Sequence, residues 1–167
     1  MRLAVGDAVV YGNHGVGRVT AREERLVQGE QSDVVVIALE DGLTVTLPLS
    51  QALEQLRPVA AEEDLLRIEE TLRVDRELST GPWLSRRNEL QSKLTASDPV
   101  QLAEIVAEGA QREQLRLAAG NKQPLSPGER AVFVKARKLL ANEIAVARDL
   151  DQSAADAWIE EQLTRPD

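Results

Sequence analysis

A chain of 167 residues, 43% hydrophobic and 29% charged, has room for one folded domain or two small ones, and this composition excludes a disordered protein. It contains no cysteine and a single histidine, His14, which excludes disulfides, thiolate chemistry and the usual Cys/His zinc site. The formal net charge of −8 excludes a general coating of DNA, because that mode needs a basic surface to release counterions.

The charge is spread along the chain. Residues 1–60 carry 5 Lys+Arg against 8 Asp+Glu, and residues 61–167 carry 15 against 20. Neither part is basic, so a nucleic-acid contact must be local and delivered by a partner. No apolar run approaches a membrane span, and Met1-Arg2-Leu3 leads straight into a Gly-Asp turn. A cytoplasmic setting, with no membrane partner, is the expectation.

Residues 1–57 read as β structure. Ala8 to Tyr11 follows the Gly6-Asp7 turn, and Gly12-Asn13-His14-Gly15 forms a second turn. Val16 to Val27 alternates, with Val16, Arg18 and Thr20 pointing one way and Gly17, Val19 and Ala21 the other. After Gln28-Gly29-Glu30, the run Val34 to Leu39 is a buried strand. Asp41-Gly42 is a strong two-residue hairpin signal, and Leu43 to Leu47 alternates until Pro48 ends it. Short strands joined by tight turns predict a small Tudor-like or SH3-like β-barrel over residues 1–59.

From about Ala60 the period becomes helical. Glu62, Glu63 and Asp64 open a helix carrying Leu65, Leu66, Ile68 and Leu72. A break over 75–81 precedes a helix that starts with Pro82 at its first position and carries Leu90 and Leu94. Ser97-Asp98-Pro99 caps a third, with Val100, Ala103, Val106, Ala107 and Ala110 at helical spacing. Ser126-Pro127-Gly128-Glu129 is a capping box before Val132, Ala136, Leu139, Leu140, Ile144 and Ala147. Ser153 and Asp156 look like the cap of a last helix with Trp158, Ile159 and Leu163. The expected architecture is α+β: a barrel over 1–59, then a bundle of about five helices over 60–167.

No catalytic constellation stands out. His14 sits in a turn, Gly12 to Gly17 precedes a strand and lacks the lysine of a phosphate loop, and the Glu pairs lie on predicted solvated faces. No enzyme activity and no cofactor are expected. One stretch does stand out. The chain has four aromatic residues, Tyr11, Trp83, Phe133 and Trp158. Trp83 follows Gly81-Pro82 and lies three and four residues before Arg86 and Arg87, so all three share a helix face. An apolar wedge flanked by guanidinium groups suits a DNA groove. An ordinary core tryptophan beside solvated arginines explains the same residues. Likewise the basic cluster Arg130, Lys135, Arg137 and Lys138 is either a contact face or a solvated one.

In order and spacing the chain resembles the CarD/CdnL family of bacterial transcription factors. The carrying residues are Val5-Gly6-Asp7-Ala8-Val9-Val10-Tyr11 with His14-Gly15, Arg25 with Gly29-Glu30, Leu43-Thr44-Val45 leading to Pro48, Pro82-Trp83 with Arg86-Arg87, and Leu125-Ser126-Pro127-Gly128-Glu129-Arg130 with the Ala136-Arg137-Lys138-Leu139-Leu140 helix. The similarity runs from about Leu3 to Leu150. It implies an N-terminal domain, shared with transcription-repair coupling factors, that binds the β subunit of RNA polymerase. It implies a helical domain that touches promoter DNA at the upstream edge of the melted bubble, where a tryptophan wedges into the minor groove. The implied DNA-contacting residues are Trp83, Arg86, Arg87, Arg130 and Arg137. The implied polymerase-binding residues are Arg25, Val27, Thr46, Leu47 and Pro48, with Thr46 standing where family members often carry a second arginine. A monomer, brought to the nucleoid by polymerase, is implied. The competing expectation is a polymerase-docking module without direct DNA contact.

Overall fold

The computed structural model describes residues 3–165. The Met1-Arg2 opening and the outer ends of the two expected domains lie outside the described residues. The chain divides into two compact units, 1–59 and 60–167, and the architecture is α+β, with strands first and helices after. Among the described residues, no helix is long and apolar enough to cross a membrane.

The first unit is a five-stranded antiparallel sheet. Strands β1 (Ala8–Tyr11), β2 (Val16–Val27), β3 (Glu30–Leu39), β4 (Thr44–Pro48) and β5 (Leu56–Pro58) lie in the order β4-β3-β2-β1-β5. Its core is aliphatic, built on Val9, Val19, Val35, Ile37, Leu39, Leu47 and Leu56. Gly17 makes the close pairing of β2 with β3 work: a Cβ there would lie 2.7 Å from Ile37 Cγ2 and 2.8 Å from Leu39 Cδ2.

Two features depart from the sequence expectation. Residues 1–57 are not all β. Between β4 and β5, Leu49–Gln55 form a helix, α1, with Ala52 fully buried. Pro48 supplies no N–H to extend a ladder, and Leu-Ser-Gln-Ala-Leu-Glu-Gln has helix formers and no β-branched residue. Thus α1, packed on β3, β4 and β5, connects the two edges of the sheet.

The second departure is in β2. Val19 pairs with Ile37, but Ala21 pairs with Val36, so Thr20 is an extra residue opposite one step of β3. Paired residues share a face, and Ile37 and Val36 are on opposite faces. Ala21 therefore leaves the face of Gly17 and Val19, on which strict alternation would have kept it. Every later residue of β2 changes face with it.

The second unit contains α2 (Glu62–Arg73), α3 (Trp83–Ala96), α4 (Pro99–Ala118), α5 (Pro127–Arg148) and α6 (Gln152–Thr164). The long helices α4 and α5 pack on each other, with α3 on both, α2 on α4 and α6, and α6 on α5. Gly109 takes the one phenylalanine: its Cβ would stand 2.5 Å from Phe133 Cγ. Leu65, Ile68, Leu72, Leu90, Leu94, Leu102, Ile105, Leu140, Ile144 and Ile159 complete the core.

The caps explain where the helices start. Asp98 accepts from the backbone N–H of Val100 (2.9 Å) and Gln101 (3.1 Å). Ser126 and Glu129 form the reciprocal box, at 3.2 and 3.1 Å. Three expectations are corrected. Pro82 is the N-cap of α3, one residue before the helix, with φ −58° and ψ 147°. The cap of α6 is Asp151, which accepts from Ala154 N–H at 2.7 Å; Ser153 is already helical, and Asp156 is engaged by an arginine. Leu66 is 55% exposed, because Leu65, Ile68 and Leu72 occupy the narrow stripe that α2 buries.

The connection 74–82 is fixed by polar bonds to α4. Gln111 accepts from Arg76 N–H (2.9 Å) and donates to Arg76 O (2.7 Å), and Arg112 Nη2 donates to Ser79 O (3.1 Å). This irregular segment therefore delivers the start of α3 to a defined place.

Candidate functional site

Trp83 is the first residue of α3 and is partly buried against the helical core. Its indole lies over Gly128 in the first turn of α5, where a Cβ would sit 3.4 Å from both Nε1 and Cζ2. An added Cβ would make only ordinary van der Waals contact with the ring, so the indole packs on this turn without depending on the glycine. The Arg86 guanidinium carbon is 5.2 Å from a ring centroid of Trp83, within cation–π range.

Arg86 is held from three sides. Besides the indole, its Nε donates to Gly81 O (3.1 Å) and its Nη1 donates to Glu129 Oε2 (3.4 Å). Its side chain is only 11% exposed. Glu129 is buried, and its other oxygen, Oε1, accepts from Arg116 Nη1 (2.8 Å) and Ser126 N–H (3.1 Å). Arg116 Nη1 also donates to Pro124 O at 2.7 Å. Burial opposes the charge on Glu129, but the Arg116 hydrogen bond and those from Ser126 outweigh it, and the carboxyl pKa falls from 4.5 to about 2. The site is thus a buried carboxylate shared by two arginines, one of them stacked on a tryptophan.

The arginines named from the sequence part company here. Arg87, next in the helix, is exposed, as is Arg130 on α5, and neither makes an ion pair among the described residues. Leu84 is 65% exposed, and it shares the outer side of the first turn of α3 with Arg87. Arg137 is engaged elsewhere: Nε donates to Asp156 Oδ1 (2.7 Å) and Nη2 pairs with Glu160 (2.9 Å), both on α6. Burial disfavours its charge, but these carboxylates more than compensate and raise its pKa. Arg130 and Arg137 line one groove between α4, α5 and α6. Arg137 is nine residues past Gly128, about 13 Å along the helix, so it is not part of the Trp83 cluster.

On the sheet, the register sorts the other set. Thr46 pairs with Val36, which pairs with Ala21; Pro48 pairs with Val34, which pairs with Glu23. Continuing along β2, Arg25 and Val27 follow Ala21 and Glu23 on the same face. The Thr20 bulge is what puts them there, opposite the core cluster. Arg25, Val27 and Thr46 are exposed and Pro48 is half-buried, while Val34 on that face is 2% exposed. Arg25 pairs with Glu23 at 2.7 Å. Leu47 is the correction. It pairs with Val35 on the core face and is 7% exposed, so its side chain is packing and not contact surface.

In the sequence Glu129 is marked only as the N3 residue of a cap, and nothing local marks Arg116 or Gly128. The cap was local and readable. The further bonds to Arg86 and Arg116 span 43 and 13 residues and required the fold.

Residues 3–60 match the family described as "CarD-like/TRCF RID domain", and residues 67–160 match "CarD, C-terminal domain". A relative in Bacillus subtilis (strain 168), named "Putative transcription factor YdeB", is 26% identical over 156 residues, covering 89% of this chain and 94% of that protein. The two matches follow one another along the sheet and then the helices, and together they show that the chain belongs to the CarD family of transcription regulators that interact with RNA polymerase.

Proposed function

We propose that the chain docks on the β subunit of RNA polymerase and stabilises the open promoter complex by presenting Trp83 at the upstream edge of the bubble. The observation that carries this reading is the setting of Trp83. Its indole is neither loose nor fully enclosed, it opens a helix, and exposed Leu84, Arg87 and Arg130 lie close by in the sequence of the two helices that form its site. Docking uses the sheet face that carries Arg25, Val27, Thr46 and Pro48. The protein acts by binding as a monomer and catalyses no reaction.

The energetics suit a tethered factor. A net charge of −8 gives little affinity for DNA alone. Docking on polymerase raises the effective concentration at the promoter to the order of mM. Unstacking intact DNA costs a few kcal/mol per step, and the bubble edge has already undergone part of it. The indole therefore favours the opened form, and about 1.4 kcal/mol of differential affinity shifts the open population tenfold. Arg87 and Arg130 supply phosphate contacts, whereas Arg86 would first have to leave a buried ion pair and Arg137 its partly exposed pairs to α6.

A second reading has its own support. Trp83 packs on the core and two of the five DNA-contact candidates, Arg86 and Arg137, are already paired with carboxylates of the chain, as suits a docking module that never touches DNA. The lifetime of promoter open complexes after competitor challenge, with wild type and Trp83→Ala, separates the two. The wedge reading expects the mutant to bind polymerase normally and lose the stabilisation; an unchanged lifetime favours the docking module.

A further inference from the structure

We propose that Glu129 is a positioning residue: through Arg86 it holds the indole of Trp83 on the capped end of α5, so that the wedge is presented in one pose. The inference rests on the wedge reading above.

The geometry exceeds what a helix cap needs. A capping glutamate has done its local work when it accepts from the N-cap N–H, here Ser126 at 3.1 Å. Glu129 goes further. Oε1 also takes Arg116 from α4, and Oε2 takes Arg86 from α3. One buried carboxylate thereby ties three helices together. Arg86 passes the constraint on, with its guanidinium over the indole at 5.2 Å and its Nε on Gly81 O, at the turn that leads into Trp83. Gly128, adjacent to Glu129, supplies the surface on which the ring rests.

The burial of Arg86 separates this role from a phosphate contact. At 11% exposure its fork faces Glu129, at 5%, and not solvent. Without Glu129 the nearly buried Arg86 guanidinium would lose its carboxylate partner, so the pair constrains where that guanidinium sits. A wedge already held in place loses less freedom on insertion than one that must be ordered then. Arg86 is thus assigned to the indole, and Arg87 and Arg130 to the phosphates.

The test uses the full chain with Trp158→Phe, so that Trp83 is the only tryptophan. Glu129→Gln removes the charge and keeps an acceptor for Ser126 N–H. Arg86→Gln removes the brace and leaves the cap untouched, which covers the case in which the first variant folds poorly. The readouts are the fluorescence anisotropy decay of Trp83 in the free protein and the open-complex lifetime with cognate polymerase. Both variants are expected to increase nanosecond motion of the indole and to shorten the lifetime about threefold. On a Trp83→Ala background neither is expected to shorten it further. Anisotropy decays that do not change in either variant overturn the brace, and so does a lifetime that falls equally with and without Trp83. If Trp83→Ala itself leaves the lifetime unchanged, the wedge reading fails; the anisotropy, measured without polymerase or DNA, still decides whether Glu129 holds the indole.

Discussion

On the sheet, among the described residues, Arg25 is tied only to Glu23, two residues away on the same exposed strand, with both side chains nearly half exposed. On the bundle, Arg86 is tied to a buried carboxylate on another helix and stacked on a tryptophan. The first pair contributes little to folding, because solvent screens it and two long side chains lose freedom to make it. The second belongs to the packing of α3 on α5. The candidate docking face is therefore separable from the stability of its unit, whereas the candidate wedge is not. Mutational loss of function means something different in the two places.

The largest expected effect breaks the comparison inside the sheet. Leu47→Ala should cost about 2–4 kcal/mol in urea unfolding, because Leu47 is core although it lies between two contact candidates. A loss under about 1 kcal/mol would contradict its placement. Next is Glu129. Its carboxyl titrates at about 2 in the folded chain and near 4.5 when unfolded, so the stabilisation is complete above pH 4.5 and is lost as pH falls toward 2. Over that window the wild type should lose about 2–3 kcal/mol more than Glu129→Gln, measured as the pH dependence of the denaturant midpoint. Parallel curves for the two proteins would argue against the bonds drawn to Arg116 and Ser126.

Smaller effects sharpen the contrast. Arg137→Gln loses its pairs to Asp156 and Glu160, which are half exposed or more, and should cost about 0.5–1 kcal/mol, less in high salt. Its effect on the open complex should follow that stability loss and not exceed it. Arg25→Glu should change stability by no more than about 0.5 kcal/mol and still weaken retention on an isolated β-subunit fragment. Equal retention of wild type and mutant in a pull-down would remove Arg25 from the interface.

Much of the framework was legible before the fold was known. Caps such as Asp98 and Ser126-Glu129 depend on neighbours within four residues, so they read directly. The Asp41-Gly42 turn reads as a hairpin but with one loop residue too few, since Leu39 N–H donates to Leu43 O at 2.8 Å and the loop is Glu40-Asp41-Gly42. The Leu139, Leu140 and Ile144 stripe reads through helical period. What was not legible depends on contacts distant in the chain or on competition between weak local preferences. The seven residues of α1 follow a strand and a proline, and that context masks their helix propensity. The Thr20 bulge has no sequence mark, yet it decides the face on which Arg25 lies. Arg86 and Arg87 look alike in sequence, and only the position of Glu129, 43 residues later, makes one a brace and leaves the other exposed.

The central claim is that Trp83 acts at DNA already beginning to open. The most direct measurement is the dissociation lifetime of promoter open complexes under competitor challenge, with saturating wild type or Trp83→Ala and cognate polymerase. The account predicts that wild type lengthens the lifetime about tenfold and that Trp83→Ala, though still bound to polymerase, returns it close to the value without the factor. A mutant that binds polymerase and lengthens the lifetime as the wild type does would contradict it.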